Sequence, residues 1–297
     1  MKDWIERHIK SKRGKTYTHE YRDKRGKRVS KKVVEGITKG LYIPPAWDRV
    51  KINKHKRDKV LAIGYDTKDR AQYVYNSSFK QAQSAKKFTK MKEFGKAYPA
   101  IMRRIQRDIF TEGDSKDTQI AIVLRLVTEC CFRIGNEKYE RDNKSYGVTT
   151  LEKHHINVSG ENVTIDFIGK KGVRNKCTIR QKKLSRIMRT KKRNARKGDK
   201  LFTYRKQDKF YDVKPHDVNH YLKQFGNFSV KDFRTWIANV ELIHNLLAQD
   251  TQESDSETER QKQVNNALDN VATKLHNTRS VCKQNYVDPY VIHVFVK

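Results

Sequence analysis

Residues 120–134 constrain the fold most. Ile120, Ile122, Val123, Leu124, Leu126, Val127, Cys130, Cys131, Phe132 and Ile134 leave almost no polar face in this stretch. A helix that is apolar all round must be enclosed by other elements, so the stretch predicts a central core helix. Gly135 is placed to terminate it. The rest of the chain is poor in such material. Only 36% of its 297 residues are hydrophobic, and Lys+Arg (66) exceed Asp+Glu (34) by a net +32. No apolar run in the chain approaches the ~20 residues with which a helix spans a bilayer. The opening MKDWIERHIKSKRGK has no apolar core of the kind a secretory signal needs.

Two regions flank residues 77–88, where the pattern turns polar and then helical. Before them the chain reads as β-rich. TYTHEY (16–21) and KRVSKKVV (27–34) surround the turn signal DKRG, and VKIN, VLAIGY and AQYVYN follow as short β-prone runs. The prolines of residues 43–47 exclude interior helix there. After them the chain reads as mainly helical, with helices near 181–193, 216–225, 230–248 and 258–275. Three β-prone runs at 154–158, 163–168 and 175–180, separated by Gly-rich turns, predict a small antiparallel meander. The stretch 249–259 reads as a polar, acidic linker. The expected fold is α+β: a β-rich N-terminal domain over 1–80 and a larger, mainly α domain over 81–297 with the embedded meander.

The cationic excess is spread over 10–15, 24–32, 51–59, 86–92, 103–107, 182–197 and 205–214, and is not gathered in a tail. A folded basic surface of this kind fits a polyanion, and nucleic acid is the polyanion that best accounts for it. Cys130, Cys131, Cys177 and Cys282 form no C-x-x-C pair, which points to reduced, buried thiols in an intracellular protein. GKT at 14–16 lacks the glycine and the strand of a phosphate-binding loop. His216 and His220 are spaced i,i+4, but Asp217 stands where a zinc-hydrolase helix needs glutamate. Neither cofactor nor metal is expected.

Taken singly, the charged candidates are weak. Arg133 closes the apolar stretch and could be an internal ion pair. Lys170, in the turn IGKKG, reads as a solvated lysine. Arg234 opens a helix capped by Ser229 with Asp232, and Tyr286 is one tyrosine of fourteen. Their order is more telling. RIGNEKY (133–139), SYGVTTL (145–151), FIGKKG (167–172), KDFRTW (231–236) and the terminal segment 277–286 resemble, in register, the catalytic motifs of type IB DNA topoisomerases, closest to the small poxvirus and bacterial enzymes. LYIPPAWDRVKI (41–52) and GYDTKDRAQYVY (64–75) resemble the same family.

The resemblance implies an isomerase that relaxes supercoiled double-stranded DNA, acting as a monomer wherever that DNA lies: virion or host cytoplasm, or bacterial nucleoid. It implies Tyr286 as the nucleophile that forms a 3′-phosphotyrosyl link, Arg133 and Arg234 as contacts to the nonbridging oxygens, and Lys170 as the acid for the departing 5′-oxygen. Asn277, next to His276, falls at the fifth catalytic position. Gln72, Tyr73, Tyr75 and Tyr139 match DNA-contacting positions. A tyrosine recombinase is the nearest alternative, but Lys231 stands where those enzymes usually carry histidine, and their N-terminal domain is helical. A non-catalytic DNA-packaging protein would explain the charge but not the motifs.

Overall fold

The computed structural model describes residues 3–111, 113–196, 198–249 and 256–297. It divides into two compact units, one through Thr89 and one from Lys90 onward. Residues 250–255, in the stretch read as an acidic linker, lie outside the described residues.

The first unit is an antiparallel sheet of β1 (Trp4–Arg13), β2 (Thr16–Arg22), β3 (Asp48–Asn53), β4 (Val60–Tyr65) and β5 (Ala71–Tyr75), in the order β2-β1-β3-β4-β5, with the helix α1 (Lys31–Thr38) between β2 and β3 in sequence. DKRG does turn the chain, with Asp23 Oδ1 accepting from the backbone N–H of Arg25 and Lys27 at 2.9 Å each. Residues 27–34, however, form no strand: apart from an isolated bridge of Arg28 to Arg22 at the end of β2, they lead into the helix α1. Val34 and Ile37 are buried, while Lys31, Lys32 and Glu35 are exposed, a spacing that follows a helical period. The strand beside β2 is instead β1, where Ile5 and Arg7 alternate inward. Arg7 is buried yet satisfied: its guanidinium donates to the carbonyls of Ile43, Pro44 and Trp47. It thereby holds the proline loop over a core of Ile5, Val34, Ile37, Val50, Ile52 and Ala62. Gly64 is obligatory there, since a Cβ would meet Val50 and Trp47 at 2.8 and 2.9 Å.

α2 (Ser77–Ile109) starts two residues after β5 and runs unbroken past residue 80. The composition shift at 77–88 thus marks the start of a helix, and the compact units divide at 89/90. In the second unit α3 (Lys116–Cys130) is the core helix expected. Ser115 caps it through Thr118 N–H at 3.1 Å, and Ile120, Ile122, Val123, Leu124, Leu126 and Val127 are at most 2% exposed. It ends earlier than the sequence suggests. The left-handed residue that caps it is Cys131 (φ 53°), four residues before Gly135 (φ 101°), and the Cys131 side chain enters a cluster with Leu242, Leu268 and Tyr286. Arg133 therefore lies in the segment beyond the helix.

That segment leads into α4 (Glu137–Asn143) and then the meander of β6 (Ile156–Ser159), β7 (Asn162–Ile168) and β8 (Arg174–Arg180). The remainder comprises α5 (Lys182–Asn194), the hairpin β9 (Thr203–Lys206) and β10 (Lys209–Asp212), α6 (Pro215–Leu222), α7 (Val230–Leu247), α8 (Glu257–Lys274), α9 (Arg279–Asn285) and α10 (Pro289–Val296). No helix among the described residues is long and apolar enough to cross a membrane. The cysteine reading needs correction. Cys130 and Cys177 form a disulfide, and only Cys131 and Cys282 are free. Packing of the end of α3 on β8 brings the two Cα atoms to 5.7 Å, a proximity that spacing in the sequence does not reveal.

Candidate active site

Three segments of the second unit meet at Tyr286. The first is the start of α7. The Ser229 N–H donates to Asp232 Oδ2 at 2.7 Å, and Lys90 Nζ donates to the same oxygen at 2.6 Å, which fixes the first turn. One turn on, Arg234 is 3% exposed. Its Nη2 donates to the Leu275 carbonyl at 2.8 Å, whereas Nε and Nη1 are buried without a partner. The sequence left open a surface arginine, and the structure buries it.

The second segment is the end of α9. Tyr286 is 8% exposed, with its ring centre 5.3 Å from the Arg234 guanidinium carbon. Its N–H donates to the Cys282 carbonyl at 2.9 Å. Its carbonyl accepts from Asn239 Nδ2 at 2.9 Å, and Asn239 Oδ1 accepts from the Asp288 N–H at 2.7 Å. Asn239, five residues past Arg234 on the same helix, thus clamps the backbone immediately after the tyrosine, on either side of Val287. Nothing in the sequence pattern singles out this asparagine.

The third is the segment after α3. Arg133 Nη2 donates to Asn277 Oδ1 at 2.7 Å, and the Asn277 Nδ2 is buried and unpartnered. His276 is turned elsewhere. It takes the left-handed conformation (φ 50°), and its ring lies 5.6 Å from that of Phe132. Arg133 connects onward through the backbone. Its carbonyl accepts from Val148 N–H at 2.9 Å, and Tyr146 N–H donates to the Ile168 carbonyl at 2.9 Å. Gly147 makes this stitch possible, because a Cβ there would lie 2.4 Å from Gly135 N and Cα. The stitch ties the Arg133 segment to the base of the β7–β8 hairpin. Lys170 is exposed in the turn of that hairpin, and no described group pairs with its ammonium.

The electrostatics follow from a buried cation, Arg234, and a half-buried one, Arg133, with no described carboxylate partner. Burial first, and then the charge of Arg234, lower the Arg133 pKa, with Tyr286 acting against them. Since arginine does not deprotonate, that shift expresses unrelieved repulsion and desolvation, which an anion bound between the two would relieve. For Tyr286, burial raises the pKa, but Arg234 in the first place, then Arg133 and Lys231, outweigh it and hold the phenol below its usual value. Cys282 goes the other way, pushed up to about 11 by burial, so it is a poor competitor as nucleophile. The guanidinium and amide donors left unpartnered around an acidified phenol suit a tetrahedral or trigonal-bipyramidal oxyanion.

Three of the DNA-contact candidates, Gln72, Tyr73 and Tyr75, lie on β5, and the fourth, Tyr139, lies six residues past Arg133 on α4. Tyr73 and Tyr75 stack at 5.9 Å on one face of β5, an edge strand, and Tyr73 is 47% exposed. Gln72 donates to Asp66 Oδ2 at 3.0 Å. Tyr139 is exposed on α4.

Residues 76–290 match the family described as eukaryotic DNA topoisomerase I, catalytic core, and residues 18–66 that described as bacterial DNA topoisomerase IB, N-terminal domain. The DNA topoisomerase 1B of Acanthamoeba polyphaga mimivirus is 33% identical over 294 residues, covering 96% of this chain and 86% of its own. The DNA topoisomerase 1B of Vaccinia virus (strain Copenhagen) is 26% identical over 193 residues, 63% of this chain and 57% of its own. The DNA topoisomerase 1 of Daucus carota is 26% identical over 224 residues, 72% of this chain and 27% of its own.

Proposed function

Because the chain belongs to the type IB DNA topoisomerases, we propose that Tyr286, Arg133, Arg234, Asn277 and Lys170 carry out its strand transfer. Tyr286 Oη attacks the phosphorus of a duplex phosphodiester. The bond to the 5′-oxygen breaks, and the 3′ end stays on the tyrosine. Arg133 and Arg234 hold the nonbridging oxygens through planar, charge-assisted donors. Asn277 gives them a neutral N–H while its carbonyl fixes Arg133. Lys170 protonates the departing 5′-oxygen, a poorer leaving group than a phenolate. The covalent ester retains the energy of the broken bond, so the free 5′-hydroxyl can reverse the step without a nucleotide. With two guanidiniums supplying the positive charge, no divalent cation is required. Gln72, Tyr73 and Tyr75 contact DNA from the first unit, and Tyr139 contacts a phosphate from the second. The protein works as a monomer in the compartment that holds its DNA.

The observation that supports this reading best is the set of buried donors without acceptors around Tyr286: Arg234 Nε and Nη1 and Asn277 Nδ2. The test is relaxation of supercoiled plasmid in excess EDTA without ATP. Wild type should relax it, and Tyr286→Phe should bind DNA without relaxing it or becoming attached. Relaxation by Tyr286→Phe, or a strict need for a divalent ion, would overturn the assignment.

A further inference from the structure

The Cys130–Cys177 disulfide joins two segments that the proposed chemistry needs to keep in register. Cys130 is the last residue of α3, 4% exposed, three residues before Arg133. Cys177 is half-buried in β8, the strand that returns from the turn carrying Lys170, and faces Ile165 across the β7–β8 pair. Further ties between this hairpin and the Arg133 segment, among the described residues, fall on β7. They are the edge contact of Phe132 with Phe167 (4.9 Å between ring centres) and the stitch from Tyr146 to Ile168. On β8 the cross-link is a covalent tie to α3, which also packs against that strand. The turn itself is held mainly from within: Gly169 N–H donates to the Val173 carbonyl at 2.8 Å, Gly172 N–H to the Gly169 carbonyl at 3.1 Å, and Asn175 Nδ2 to the Val173 carbonyl at 2.8 Å. The exposed ammonium of Lys170 thus takes its position from where the two strands are anchored.

We propose that Cys130 and Cys177 are positioning residues for the general-acid hairpin, and that their oxidation state sets the rate of the step Lys170 serves. The proposal rests on the reading of Lys170 as that acid. The oxidised pair holds β8 against the end of α3 and keeps the turn over the site. A dithiol such as dithiothreitol can open it through the half-exposed Cys177. The Sγ–Sγ bond takes up two electrons and two protons to give two thiols, and the dithiol closes to its cyclic disulfide. Glutathione disulfide reverses this through two exchanges that release two molecules of glutathione. The reduced hairpin keeps its β-pairing and its contacts on β7 but loses its covalent anchor on β8. Phosphate binding by Arg133, Arg234 and Asn277 does not depend on that anchor.

The experiment uses the full chain in both states. Alkylation and mass measurement should count two reactive cysteines in the denatured oxidised protein and four in the reduced one. Single-turnover cleavage is then followed on a duplex with the normal 5′-oxygen and on one with a bridging 5′-sulfur, whose thiolate leaves without a proton. Reduction should slow cleavage of the oxygen substrate about tenfold, part of the ~10²–10⁴ that a positioned general acid supplies. It should leave the sulfur substrate within about twofold. Cys177→Ser, which leaves the buried Cys130 in place, should behave as the reduced protein and ignore dithiothreitol. Lys170→Ala should be slow on oxygen, restored by sulfur, and indifferent to redox state. Sulfur failing to restore Lys170→Ala would remove the acid assignment and the tether with it. With Lys170→Ala restored, an unchanged rate on reduction would overturn the tether alone. So would equal slowing on both substrates, which marks general loosening. Four reactive cysteines after oxidation would also overturn it.

Discussion

Arg133 Nη2 donates to Asn277 Oδ1 at 2.7 Å, and this bond decides which end of the Asn277 amide faces the site. With its oxygen occupied, the amide can offer only its N–H, and that Nδ2 is buried without an acceptor. The fifth member of the site is therefore a donor whose orientation depends on the first.

This bond makes Asn277→Asp more damaging than its size suggests. A carboxylate would pair with Arg133, deliver no proton donor, and repel the phosphate. Loss of one preorganised donor typically costs about 10²–10³ in rate, so Asn277→Ala should fall in that range and Asn277→Asp should be slower still. His276→Asn, which tolerates the left-handed backbone, should stay within about threefold of wild type. Single-turnover cleavage of a suicide duplex measures all three. Equal defects at 276 and 277 would contradict the assignment.

The phenol of Tyr286 supplies a second measurement. In the free protein the arginines outweigh burial and bring its pKa below the usual 10. With the Tyr286 phenolate as the proposed nucleophile, the reactive fraction on this count grows as pH rises and is larger at neutral pH than for an ordinary tyrosine. NMR titration of ring-labelled tyrosine should show one resonance with a midpoint below the rest, absent in Tyr286→Phe. Arg234→Gln should move that midpoint up. A downward move would mean that Arg234 does not set the charge at this ring.

Asn239 is expected to act through the nucleophile's backbone. Asn239→Ala removes both the donor to the Tyr286 carbonyl and the acceptor for Asp288 N–H. Asn239→Asp keeps only the acceptor. Both should cut cleavage by about tenfold or more, since small misplacement of a reacting group is costly. DNA affinity should be unchanged. Reduced affinity with normal single-turnover cleavage would place Asn239 at the DNA surface and not behind the tyrosine.

The sequence carried the pieces unequally. The apolar ring of α3, the meander and the helices α5 to α8 were legible because their periodicity is local. β1 was not, because its pattern of Trp4, Glu6 and His8 against Ile5 and Arg7 buries an arginine, which patterning scores as surface. The end of α3 was misplaced because Cys131 adopts a conformation usually left to glycine or asparagine. The proposed catalytic set was legible only as an ordered series of motifs, since burial of Arg234 and the pairing of Arg133 with Asn277 are tertiary facts. Asn239 and the Cys130–Cys177 link had no local signal, because each depends on contacts between segments more than forty residues apart.

DNA binding should depend steeply on salt. The exposed cations of α5, Lys182, Arg186, Arg189 and Arg193, recur at helical spacing along one face. Log K should fall linearly with log salt at about −0.9 per neutralised phosphate. Replacing these four with Gln should make the slope shallower by up to about 0.9 for each phosphate no longer neutralised. An unchanged slope would place α5 outside the DNA footprint, and salt-independent affinity would contradict phosphate binding altogether.

The last expectation concerns stability near the Lys170 hairpin. His155 is 6% exposed, its ring 4.3 Å from that of Tyr146 and 3.9 Å from that of His154, and its Nδ1 accepts from the Glu152 N–H at 3.0 Å. Burial first, then the neighbouring His154, lower its pKa to about 4, with Asp166 opposing. The unfolded chain takes up a proton near the ordinary value of 6.5, but the folded protein does not until about pH 4. Between those limits the unfolded state binds more protons, so stability rises with pH through the window and is lost as pH falls. At about 1.4 kcal/mol per unit, the loss by pH 4 is at most about 3 kcal/mol. Urea unfolding of wild type and His155→Phe at intervals from pH 4.5 to 7.5 isolates this contribution, because carboxylates titrate alike in both. The variant should lack the part of the slope lying between about pH 5 and 6.5, where His155 is the group whose proton uptake differs most between the states. Parallel stability curves for the two proteins would show that His155 is protonated as readily folded as unfolded.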